Sequence, residues 1–189
     1  MRTRTLLTLI LTILALAGCS SVTVVSDYDS SISFTGYRSY RWTDGTTNGS
    51  TVLAENPLIL KRIKSSVERE FAAKGYTLDT SGPADFSVAV SASVSKRIYY
   101  DPPPAGFYYH RGFHGRYGFY DPFWWGPYAG YYEEGTLGID IYDSRTGRLA
   151  WHGVGRGILN DYRNGEELQR QIDEAVTKIL EEFPPPQVK

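Results

Sequence analysis

The chain has 189 residues, with 20 Lys and Arg against 21 Asp and Glu, and 14% of it is aromatic. A net charge of −1 excludes the ordinary nucleic-acid binder, which needs a clear basic excess. A lone cysteine excludes an internal disulfide, and the length bounds one domain with a real core.

The first residues read as an export signal. Arg2 and Arg4 precede an apolar run over residues 6–17, too short for a transmembrane helix of ~20 residues but of the length a secretory signal peptide takes. Leu16-Ala17-Gly18-Cys19 matches a bacterial lipobox, in which small residues let a signal peptidase cut before a lipid-modified cysteine. The expectation is a signal peptide over residues 1–18 and a mature chain over 19–189 anchored by palmitate-type acyl chains on Cys19. Two such chains already hold a protein stably to a membrane. Ser20 follows in place of the aspartate that retains lipoproteins in the inner membrane under enteric-type sorting, so the expected location is the outer membrane, facing the periplasm. Without Arg2 and Arg4 the mature chain carries 18 basic against 21 acidic residues.

The mature chain opens with alternating β-branched residues over 21–26, a first strand. Tyr37, Tyr40 and Trp42 mark a short second one, and residues 43–51 form a polar turn region. Asn56-Pro57 opens a helix, with asparagine as cap and proline at the first helical position. Its stripe is Leu60, Ile63, Val67 and Phe71, and Gly75 closes it. Tyr76-Thr77-Leu78 suggests a short strand. Phe86, Val88, Val90, Ala92 and Val94 then alternate with small, mostly hydroxylic residues, the pattern of a half-buried antiparallel strand that runs on to Tyr100. Order returns at residues 135–143, where Leu137, Ile139 and Ile141 share a face. A turn with Gly147 at its left-handed position leads to a partner strand, with Leu149 and Trp151 on one face. Asn164 and Glu167 form a capping-box pattern, followed by the stripe Leu168, Ile172, Val176, Ile179 and Phe183. These elements predict an α+β two-layer sandwich: a mostly antiparallel sheet with two helices on one face and a long aromatic, Gly-rich loop between two strands.

That loop, residues 101–134, is the main functional clue. Loops of such length are functional or disordered, and disordered chain is poor in aromatics, whereas this one is rich in them. The candidate contact residues are Tyr108, Tyr109, Arg111, Arg116, Tyr117, Tyr120, Phe123, Trp124, Trp125 and Tyr128. Rings stack on sugar faces and arginines meet anionic groups, so a peptidoglycan or other envelope glycan is one expected partner. The membrane interface, which favours Trp and Tyr, and envelope proteins are others. His110 and His114 stand four apart, but Gly112 and Gly115 argue against the helix that would converge them on a metal, even with Asp101, Asp121 and His152 nearby. No metal, cofactor or catalytic residue is expected. Gly153, Gly155 and Gly157 alternate along a strand without the lysine or helix of a phosphate loop, so they read as positions of close packing or a bulge. Asp140 and Asp143 read as a solvated strand residue and a turn-initiating residue.

The ordered set of motifs resembles the DUF4136 family of bacterial envelope lipoproteins: a lipobox, then Asp27-Tyr28-Asp29, then Tyr37, Tyr40 and Trp42. Asn56-Pro57-Leu58, Arg62-Ile63 and Lys74-Gly75-Tyr76 follow, then Ala84-Asp85, a hairpin over residues 135–151, and a last helix from Ile172 to a Phe-Pro-Pro end. The resemblance spans nearly all of the mature chain. It implies fold, anchoring and compartment, with a non-catalytic structural or binding role, and it brings no catalytic residues.

Overall fold

The computed structural model describes residues 22–43, 51–101, 128–159 and 164–186. In chain order the elements are β1 (Thr23–Tyr28), β2 (Ser39–Trp42), α1 (Thr51–Glu55), α2 (Pro57–Ala73), β3 (Thr77–Leu78), β4 (Phe86–Asp101), β5 (Tyr128–Asp143), β6 (Leu149–Leu159) and α3 (Gly165–Glu181). The six strands form one sheet in the order β1-β6-β5-β4-β2-β3. Strands β1, β6, β5 and β4 pair antiparallel, but β2 pairs parallel with both β4 and β3. The sheet is therefore mixed, not mostly antiparallel as expected. The reason is the helical crossover after β2: a chain that returns through a helix arrives in its original direction.

Two interruptions depart from the sequence pattern. Strand β5 starts at Tyr128, well before Gly135, and Tyr128–Glu134 pairs with Ser95–Asp101. The end of the expected loop is thus a strand. Opposite Ile141 the ladder pairs with Trp151, but opposite Tyr142 it pairs with Leu149. Ala150 is the extra residue of a β-bulge, which rotates the side chains around it. Leu149 is consequently exposed while Trp151 is buried, so the two do not share a face.

The helix ends follow local chemistry. Pro57 holds the first turn of α2, but the Asn56 side chain makes no cap and donates instead to the Val52 carbonyl at 3.0 Å. The short α1, absent from the sequence reading, ends immediately before Asn56 and takes that bond. Gly75 sits at φ 85°, where its N–H and that of Tyr76 close the last turn onto Ala72 and Phe71. Asn164 caps α3 as expected, accepting from the Glu167 N–H at 2.9 Å. The Glu167 carboxylate turns to Arg170, three residues on, at 2.9 Å.

The core contains a cluster of aromatic rings. Phe183, beyond the end of α3, lies with its ring centroid 5.3–6.1 Å from those of Trp151, Phe34, Tyr76, Phe86 and Phe71. Ile63, Val67 and Phe71 of α2 join the same buried cluster as Ile172, Val176 and Ile179 of α3 and as Val88, Val90, Ile139 and Ile141 of the sheet. The two long helices also exchange polar contacts at a nearly constant offset in sequence. Arg62 donates to the Gly165 carbonyl (3.0 Å), Ser66 bonds Asp173, Arg69 pairs with Asp173 (2.8 Å) and Thr177 donates to Glu70 (2.8 Å). Both numbers rise together, so α2 and α3 run side by side in the same direction.

Candidate functional site

The residues of the resemblance serve the fold. Asp85 accepts from the N–H groups of Arg38 (2.8 Å) and Ser39 (2.9 Å), which hold its carboxyl below the usual range and fix the start of β2. Asp29 accepts from Ser31 and pairs with Arg148 at 2.5 Å, fastening the end of β1 to the hairpin. The Trp42 indole donates to Glu68 at 2.9 Å, with the Lys64 ammonium 4.7 Å from the ring centroid. Asp143 starts the turn as expected, but its side chain is fully buried. It accepts from the Tyr37 hydroxyl (3.0 Å), the Thr146 N–H (2.8 Å) and the Thr146 hydroxyl (2.9 Å). Burial disfavours its charge, yet these bonds, with those from Arg145, hold its carboxyl below the ordinary value.

An apolar cleft opens where β4, β5 and β6 run on beyond this core. Its floor is cut flat by Gly135, Gly155 and Gly157, and its walls include Ile59, Leu168 and Ile172. At two of these glycines a side chain would crowd a neighbour. A Cβ at Gly135 would lie 2.9 Å from Leu159, and one at Gly155 2.9 Å from Ile179. Close packing is thus the role of this alternation at Gly153 and Gly155, as the sequence suggested. The cleft measures about 130 Å³, near the ~150 Å³ of an apolar cavity that accepts a benzene ring. The Gln171 side-chain oxygen at its lining is buried and without a hydrogen-bond partner among the described residues, and a buried acceptor left so costs about 1–3 kcal/mol. The alternating glycines were visible in the sequence but the cleft was not, because only strand register brings Gly135 opposite Gly157.

Past the cleft, β4 and β5 continue as a two-stranded arm towards residues 102–127. The Tyr99 ring lies over Gly130, within 2.4 Å of where a Cβ would stand. Arg97 pairs with Glu134 at 3.0 Å. Tyr131 is 75% exposed, and Ile98 and Tyr99 are also exposed. Of the candidate contact residues, Tyr128 opens β5 opposite Asp101. Tyr108, Tyr109, Arg111, Arg116, Tyr117, Tyr120, Phe123, Trp124 and Trp125 lie outside the described residues, as do Cys19, His110, His114 and Asp121.

Among the described residues, the nearest approach to acid–base chemistry is on the sheet face away from the core, where the His152 imidazole bonds the Asp140 carboxylate. Ser91 and His152 both approach Gly138: its Cβ position is 2.5 Å from the serine oxygen and 4.0 Å from the ring. Among the described residues no hydrogen bond joins Ser91 to His152, and no group of three or more His, Cys, Asp or Glu side chains is placed to hold a metal. None of their helices is long and apolar enough to cross a membrane.

Among the described residues, fold and cleft together define a mixed α+β domain: one six-stranded sheet, three helices and an apolar opening beside the helix–sheet core. The chain belongs to the family described as a domain of unknown function, DUF4136, whose model matches residues 24–185. No curated protein matches it. Among solved structures it is similar to a PDZ domain protein from Parabacteroides distasonis, at 15% identity and a TM-score of 0.52, over 89% of this chain and 36% of that one. The chain therefore spans about a third of the length of that protein, and the likeness is one of fold. A PelC dodecamer from Paraburkholderia phytofirmans matches at 12% identity and a TM-score of 0.44, over 84% of this chain and 94% of that one.

Proposed function

We propose that this is a lipid-anchored lipoprotein of the bacterial outer membrane, facing the periplasm, with a structural or binding role and no catalysis. The observation that carries the reading is the lipobox ending at Cys19, placed directly before a domain of this family. The arrangement of the family motifs supports it: Asp29, Tyr37, Asp85 and Asp143 close turns and join strands instead of converging on a reaction centre. In this reading the domain is two-layered, with both long helices on one face of the sheet. The opposite face and the arm are left for contacts. Cells fed an alkyne fatty acid should label the wild-type chain and carry it in the membrane fraction. Cys19→Ala should abolish the label, and equal labelling of both would sink the anchor.

A second reading, a glycan-binding module built on the aromatic insert, is favoured by the exposed Tyr99 and Tyr131 on the arm that leads into it. Such rings offer flat apolar faces with polar tips. The full chain should then sediment with purified sacculi. A version with residues 106–127 replaced by a short Gly-Ser loop should stay in the supernatant. Sedimentation by neither protein would exclude this reading and direct attention to membranes and protein partners.

A further inference from the structure

We propose that the apolar cleft seats one acyl chain of the lipid on Cys19, so that the anchor also docks the domain against the membrane. The inference rests on the lipid anchor proposed above. Val22 lines the cleft, and Cys19 precedes it by three residues. Three residues reach at most ~11 Å, so the lipid leaves the chain within reach of the opening. The lining suits an acyl chain: Leu168, Ile172 and Ala175 of α3 face the glycine floor. The volume of about 130 Å³ takes only part of a long acyl chain. The rest can run out over Val94 and Ile98 of the arm, both exposed, with Lys96 between them on the same face.

Gln171 adds a polar requirement. Its buried side-chain oxygen has no donor among the described residues, and an apolar ligand with an adjacent N–H would satisfy it. An N-acylated cysteine has that combination, an amide N–H at the root of an acyl chain. A seated chain would shield the cleft from water and set the domain at a fixed orientation to the bilayer.

The test uses the full chain in cells fed a fatty acid carrying both a diazirine and an alkyne, irradiated and then digested for mass mapping. The expected result is label on Cys19 and crosslinks from it to the peptides holding residues 92–94 and 168–175 of the same chain. Ala175→Phe, which fills the cleft, should lose those crosslinks while keeping the label. Ala92→Phe serves the same purpose if the first variant misfolds, as judged by its melting curve. Label on Cys19 with crosslinks only to membrane lipid, another protein or a second copy would overturn the inference and leave the anchor standing. No label on Cys19 would overturn both.

Discussion

Gly153→Val should destabilise the domain by about 3 kcal/mol, with a fall in melting midpoint of roughly 10 °C, read by urea and thermal unfolding followed through tryptophan fluorescence. A Cβ at Gly153 would stand 2.2 Å from the Trp151 ring and 2.7 Å from an Ile179 methyl. Both neighbours are fully buried: Trp151 is held by the strand beyond the bulge and Ile179 by the middle of a helix stripe. Neither can retreat without moving its element. Even Gly153→Ala should destabilise, by about 1–3 kcal/mol. The sign is the informative part, because replacing a strand-interior glycine by alanine ordinarily helps by roughly 0.5–1 kcal/mol. Gly36, with nothing within 4 Å and no left-handed φ, is the control, and Gly36→Ala should leave stability nearly unchanged. A neutral Gly153→Ala would mean that the packing of α3 on β6 described above is wrong.

Asp143→Ala should cost about 2–3 kcal/mol near neutral pH, since it strands the buried Tyr37 hydroxyl, worth about 1–3 kcal/mol without a partner in the interior, and frees the exposed Thr146 from the bonds that fix the turn. Tyr37→Phe removes one bond of that set and should cost about 1 kcal/mol. The pH dependence follows from the depressed carboxyl. A group whose folded pKa lies below its unfolded value of ~3.9 contributes fully above that value and loses its contribution as pH falls through the folded one. Wild type should therefore hold its margin over Asp143→Ala from pH 7 to about pH 5 and lose it progressively below about pH 4. Asp85 and Asp173, whose carboxyls are also depressed, keep some acid sensitivity in the variant. A margin that does not shrink in acid would show that the charge at Asp143 adds nothing beyond its shape.

These two residues also mark what a sequence can disclose. Asp143 was legible as the start of a turn, because turn chemistry is local. Its bond to Tyr37 was not, because it joins residues 106 positions apart and depends on the hairpin's placement. The long helices were legible because seventeen residues each repeat their apolar stripe several times, and β4 because its alternation is long. Strands β2 and β3, four and two residues long, carry too little pattern to reveal direction, so the parallel pairings were missed. Residues 128–134 hide a strand for another reason. Their tyrosines and Gly130 have loop-like composition, yet Gly130 makes room for the Tyr99 ring across the ladder. The cleft is a further case, since only register sets Gly135 opposite Gly157 to complete its floor.

The measurement that goes most directly to the central claim is the intact mass of the protein extracted from membranes of a producing bacterium. The account predicts a chain that begins at Cys19 and carries the added mass of a diacylglyceryl group, with or without a third acyl chain. A chain that begins at Met1, or at any other residue without lipid, would contradict it.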